Sequence, residues 1–278
     1  MFFLLKLLKF FVEKNLVVAT SALCLYKITE HLFDFNSNYI SYFIFFSTLC
    51  AYSYMAQFQK LNTNHSILSN KSNTLLSSKS IFLLSAFITS CLLFILNFKL
   101  LILITPVIII CLLYPVKFQL YNTIICIRSI PYLKIILISL VWSYMTMLMP
   151  ILYFSYEINH VVIDFFFQRF LFILVIAIPF DMRDMNIDTI KTIPNVFGIN
   201  NSKKLAFFCL LIIELLLIIN VISKVISLNL FLALFLTIEL TSLVIYFSHN
   251  KKSLIFYGII VEGLSIIMCL FVIISDLF

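Results

Sequence analysis

An all-α bundle of about nine transmembrane helices is what this 278-residue sequence predicts. Three observations carry that reading. The mean hydropathy is +1.13, only 11% of residues are charged against 63% hydrophobic, and the apolar residues fall in repeated runs long enough to cross a bilayer. No stretch has the mixed composition of a soluble domain. The chain therefore reads as a single integral membrane domain over 1–278.

Residues 1–14 alternate apolar pairs with Lys6, Lys9 and Lys14 and lack a small-residue cleavage site. That pattern predicts an interfacial amphipathic segment and not a signal peptide. Spans follow at 15–33, 39–57, 81–98, 100–115, 133–154, 165–180, 205–223, 230–247 and 254–274. The seven cysteines are scattered, with no CxxC pair and no histidine at metal-ligand spacing, so they read as apolar packing residues.

The net charge of +7 does not signal nucleic acid, because the basic residues sort by side of the membrane. With the N-terminus inside, fifteen of the nineteen Lys and Arg fall on one side, three (Lys99, Arg169 and Lys224) on the other, and Lys27 within the first span. The positive-inside rule then places the N-terminus in the cytoplasm and the C-terminus on the opposite side. The long connections 58–80, 116–132 and 181–204 all share the cytoplasmic face. Long loops gathered on one face are where a site is usually built.

Three of the six aspartates fall within eight residues there, at Asp181, Asp184 and Asp188. Spacings of i, i+3 and i+7 put the carboxylates within roughly 60° of one helix face, along a strip about 10 Å long. Such a strip repels itself unless a cation sits on it, and carboxylate oxygens are the preferred ligands of Mg²⁺. The alternative is a solvated acidic helix end.

The run Ile178-Pro179-Phe180-Asp181-Met182-Arg183-Asp184-Met185-Asn186-Ile187-Asp188, followed by TIPNVFG from Thr192 to Gly198, resembles the second aspartate-rich motif of the UbiA superfamily of intramembrane prenyltransferases. The resemblance implies a UbiA-like fold and transfer of an isoprenyl group from a prenyl diphosphate to an aromatic or other hydrophobic acceptor. It further implies that Asp181, Asp184 and Asp188 hold Mg²⁺ against the diphosphate, with Asp181 and Asp184 as the catalytic pair. Tyr114-Pro115-Val116-Lys117 is similar to a family pattern in which a tyrosine precedes a diphosphate-binding cation. Lys117 is accordingly a substrate-binding candidate, with Arg128 and Lys134 beside it. Positive-inside charge also explains Arg128 and Lys134.

One half of the family pattern is missing. The first acidic motif belongs at the end of the second span, where Ala51 to Asn62 contain no acid, and no Asp or Glu occurs between Asp34 and Glu157. Gln57, Asn62 and Asn64 offer neutral oxygens, and Lys60 or Lys71 offers a fixed positive charge in place of a second metal. After the strip, Thr189 stands where the family places a glycine, which puts the role of Asp188 in question.

Glu214, Glu239 and Glu262 fall eight to ten residues into the last three spans, where ionisable groups are costly and pair or face a cavity. Glu262-Gly263 is similar to an acidic-Gly pair of the family's last span and makes Glu262 a candidate for the acceptor pocket. A structural polar network explains the same residues, and Lys27 and Glu30 are placed to pair. The four histidines have no metal-ligand company. Two other functions compete with the transferase: a catalytically altered UbiA-like binding or partner protein, and a small-solute transporter, which would leave the aspartate strip unexplained.

Overall fold

The computed structural model describes residues 2–62, 78–120, 123–126, 130–185 and 191–277. Among them the chain forms ten helices, close to their expected positions except that the helix Ile193–Ile222 begins twelve residues before the expected span 205–223, inside the expected 181–204 connection. α1 (Phe2–Glu13) is the amphipathic segment, and α2 (Leu16–Phe33), α3 (Asn38–Asn62), α4 (Ser78–Ile95) and α5 (Phe98–Leu113) follow it. The second half comprises α6 (Leu133–Tyr153), α7 (His160–Asp184), α8 (Ile193–Ile222), α9 (Leu228–Phe247) and α10 (Phe256–Ser275). α2 and α6 to α10 are each long and apolar enough to cross a membrane, whereas α4 and α5 are shorter apolar helices. α3 has the length, but its tyrosines, serines and glutamine lower its hydropathy.

Helix ends follow local chemistry. Asn15 and Asp34 flank α2 in the left-handed region, at φ 58° and 50°, a conformation their short polar side chains tolerate. Asn159 caps α7 by accepting from the Val162 amide at 3.0 Å, and Ser227 caps α9 by accepting from Leu230 at 3.2 Å. Pro194 sits in the first turn of α8, where no intrahelical N–H is needed. Four residues later α8 is broken at Gly198, whose φ of 78° and ψ of 165° are not helical. Two π-helical turns, Tyr144–Leu148 in α6 and Phe256–Val261 in α10, shift the side-chain register of their helices.

One departure from the all-helical expectation lies between α5 and α6. Lys117–Leu120 (β1) pairs antiparallel with Thr123–Cys126 (β2) in a two-stranded hairpin. The β-branched and aromatic content of KFQL and TIIC explains it, since these residues fit an extended pleat better than a helix.

Each helix packs on its neighbours in sequence, and α10 closes the ring by packing on α2. The main core joins α2 with α6 to α10 through residues such as Ile28, Ile135, Phe172, Ile213, Leu234 and Val261. A second core joins α2, α3, α4, α5 and α6 around Tyr26, Phe43 and Met149. Large apolar side chains stay exposed on α4, α5, α8 and α9, including Phe87, Phe94, Ile102, Phe208, Leu215 and Leu236. In water such a surface would drive association; in a bilayer it meets acyl chains.

α1 docks where the π turn of α10 presents Gly258. A Cβ there would stand 2.3 Å from Val12 Cγ1, inside any tolerable contact. Gly258→Ala is expected to destabilise the protein by about 1–3 kcal/mol, the usual cost of overpacking. Val12→Ala in the same chain should restore the loss, read as the midpoint of thermal unfolding in detergent for the single and double variants.

Candidate functional site

The carboxyl end of α7 collects the polar chemistry of the bundle. Pro179 removes one amide from the α7 ladder just before it, and Asp181 and Asp184 follow on the last turn. Asp181 is 3% exposed. Its Oδ1 accepts from Lys134 Nζ of α6 at 2.7 Å, an ion pair that ties α6 to α7. Asp184 takes both prongs of its neighbour Arg183, Nε to Oδ1 at 2.7 Å and Nη2 to Oδ2 at 3.0 Å. The two carboxylates share a helix end as the spacing requires, yet each faces a fixed cation.

Arg183 is held from below as well. Its guanidinium lies 5.2 Å from the centre of the Phe180 ring and 5.6 Å from that of Tyr257 on α10. Two aromatic faces on one cation hold it through their ring quadrupoles. Tyr257 is itself fixed, its hydroxyl donating to the His249 carbonyl at 2.5 Å. One turn along α10, Glu262 lies within electrostatic reach of Arg183 and of Tyr52 on α3. The Tyr52 hydroxyl accepts from Trp142 Nε1 of α6 at 3.0 Å. A Cβ at Gly263 would meet nothing within 4 Å. α3, α6, α7 and α10 thus each send a polar or aromatic group toward one region.

The break in α8 frames that region from another side. Tyr132, just before α6, donates its amide to the Lys191 carbonyl at 3.4 Å and sets its ring 6.1 Å from Phe197. Thr192 and Pro194 of the TIP segment are buried. Among the described residues, Thr192 Oγ1 and Gln57 Nε2 are buried with no hydrogen-bond partner. The Gln57 amide thus has a donor free for a ligand.

Several expected residues cannot be placed. Asp188, Lys71, Asn64 and Arg128 lie outside the described residues, and Lys60, Asn62 and Lys117 are described only in their backbone, at the end of α3 and the start of β1. Lys27 and Glu30 pair, as their spacing suggested, and Glu30 also accepts from the Ser37 amide at 2.8 Å. Glu214 of α8 and Glu239 of α9 lie within electrostatic reach of one another. Among the described residues no group of three or more His, Cys, Asp or Glu is gathered to hold a metal. The cations that meet the aspartates, Lys134 and Arg183, are the weaker sequence signals: Lys134 resembles topogenic charge, and Arg183 is hidden among the acids it serves.

No family model matches the sequence, and no curated protein matches it. Solved structures do. A UbiA homologue from Aeropyrum pernix K1 superposes at a TM-score of 0.69, with 13% identity over 95% of this chain and 99% of that one. The fold is the UbiA fold. A UbiA homologue from Archaeoglobus fulgidus gives 0.63, at 14% identity over 97% of this chain and 98% of that chain. A structure described for digeranylgeranylglyceryl phosphate synthase in membranes gives 0.57, at 14% identity over 98% and 96%. Coverage near the whole of each chain means that the UbiA fold includes the region around α7. The likeness bears out, for architecture, what the aspartate motif and TIPNVFG implied.

Removing one partner of a buried ion pair leaves an uncompensated charge, so Lys134→Met should cost on the order of 3 kcal/mol. The double variant Lys134→Met with Asp181→Leu should recover most of it. Chemical denaturation of the four proteins of this cycle measures the coupling, and a coupling near zero would show that the pair does not hold α6 to α7.

Proposed function

We propose that this protein is an integral membrane prenyltransferase that binds a prenyl diphosphate at the carboxyl end of α7 and transfers its isoprenyl group to a hydrophobic or aromatic acceptor. The observation that supports this most is the juxtaposition of Asp181, Asp184, Lys134 and Arg183 at the end of one helix, in a UbiA fold. The digeranylgeranylglyceryl phosphate synthase among the similar structures is a membrane synthase by its description, in keeping with such a substrate. The site would face the cytoplasm, with the N-terminus on that side, in accord with the distribution of Lys and Arg.

Two hard carboxylates suit Mg²⁺, which is commonly held by one or two carboxylates plus substrate phosphates. Asp181 and Asp184, with Asp188, would hold the ion, and it would supply charge to the diphosphate as the leaving group departs. Lys134 and Arg183 already balance these acids and would turn their donors to phosphate oxygens. Lys117, Lys60 and Arg128 would add charge from the neighbouring connections. That arrangement replaces, with fixed cations, the counter-charge that acids at 51–62 would otherwise recruit.

Breaking the allylic carbon–oxygen bond leaves positive charge on the isoprenyl carbon. The Phe180 and Tyr257 faces, which hold the Arg183 cation, would favour such charge once Arg183 turns to the diphosphate. Glu262, within electrostatic reach of Tyr52, would orient the acceptor and receive its proton. A second reading has an observation of its own. Acids are absent between Asp34 and Glu157, so a catalytically altered protein that only binds prenyl diphosphate fits the same residues.

The test uses the purified full-length chain with farnesyl diphosphate, with and without Mg²⁺. Binding should strengthen with Mg²⁺ and weaken at least tenfold in Asp181→Asn and Asp184→Asn. Binding of equal strength in all three proteins, with no metal dependence, overturns the proposal. Metal-dependent binding with no turnover of any acceptor selects the second reading.

A further inference from the structure

Arg169 lies twelve residues before Asp181 on α7, about 18 Å along the helix axis, and so belongs to a different part of the bundle. It is 6% exposed. A guanidinium carries five N–H donors and cannot shed its charge, so burying one inside a membrane protein demands an answer in kind. The described partners are neutral and use one nitrogen: Nη1 donates to the Leu25 carbonyl at 2.6 Å and to Thr146 Oγ1 at 3.3 Å. No carboxylate among the described residues forms an ion pair with it. The nearest acid on its own helix is engaged elsewhere, because Asp164 Oδ2 accepts from Gln168 at 2.7 Å and from Asn220 at 2.6 Å.

Arg169 and Gln168 are instead the polar residues that line a cavity of about 40 Å³ among α2, α7, α8, α9 and α10. The remaining lining is apolar, with Phe165, Phe172, Ile213, Leu217, Leu234 and Met268 among it. The volume would hold about three waters, or one compact anionic group. An arginine fork beside hydrocarbon walls matches a carboxylate carried on an apolar chain. The fork meets both oxygens, and the walls take the first methylenes.

We propose that this cavity is a second binding site, for the carboxylate group of a monoanionic amphiphile. The bound charge offsets the lone guanidinium, which neutral acceptors do only in part. Nothing in the transferase reading requires the site, and each stands or falls without the other.

The experiment is equilibrium dialysis of radiolabelled laurate against the full-length protein in dodecyl maltoside. The wild-type chain should show one saturable site, weakened at least tenfold in Arg169→Gln and in Leu234→Phe. The second variant fills the cavity and leaves every hydrogen bond of Arg169 in place, so it answers for any loss of folding in the first. Dodecanol, which lacks the charge, should not compete. Competition by acetate assigns the site to small soluble carboxylates and its failure assigns it to membrane-borne acyl chains; both support a carboxylate site. No saturable binding, or equal binding in the wild type and both variants, overturns the proposal and leaves the cavity to water.

Discussion

The constraint on which the structure turns is that a charge inside a helical bundle needs a counter-charge or a dense set of donors and acceptors. α7 shows this most plainly, because Asp164, Arg169, Asp181, Arg183 and Asp184 all lie along it. Asp164 is met by two amides, Asp181 by a lysine from the next helix, and Asp184 by its own neighbour. These answers come from α6, α8 and α7 itself. The charges of α7 therefore position the helices around it, and apolar packing fills what remains.

Closure of the ring follows a different logic. α10 packs on both α9 and α2, so it determines whether the first and last helices enclose one interior. Its π turn brings Gly258 against Val12 on one side and Tyr257 beneath Arg183 on the other. A π turn inserts an extra residue into the helix and rotates the turns beyond it. That rotation carries Glu262 toward Tyr52 and Arg183, while the Glu262 carbonyl accepts from Ser21 of α2 at 2.8 Å. The same local irregularity thus serves the seal between α2 and α10 and the site beside it.

How far the residues foretell this differs by level. The spans are legible because lipid permits only long apolar helices to cross it, and runs such as Leu205 to Ile222 admit no other reading. That Asp181 and Asp184 share one helix end is legible as well, because i, i+3 spacing is a property of one helix. Their partners are not. Lys134 stands 47 residues from Asp181, and pairing across two helices depends on rotation about each axis, which periodicity does not report. Trp142 and Tyr52 meet across 90 residues for the same reason. The β1–β2 hairpin is hidden because eight residues of strand pattern are weak beside long apolar helices.

The missing acids at 51–62 gain a physical meaning from the far side of the bundle. Two metals held between two acidic motifs would carry four positive charges, set against the carboxylates that hold them and the diphosphate. In the proposed transferase, one metal and its carboxylates would cover less of the diphosphate's charge without the first motif, and the protein would have to meet the shortfall. Lys134 and Arg183 are poised for that, because each sits on a carboxylate that a metal ion would also seek. A competing metal would free both cations within reach of the same region, whereas surface lysines would have to be drawn in from water. In the proposed transferase the carboxylates and their cations would therefore act as one unit, in which the acids hold the positive charge ready and the diphosphate would claim it.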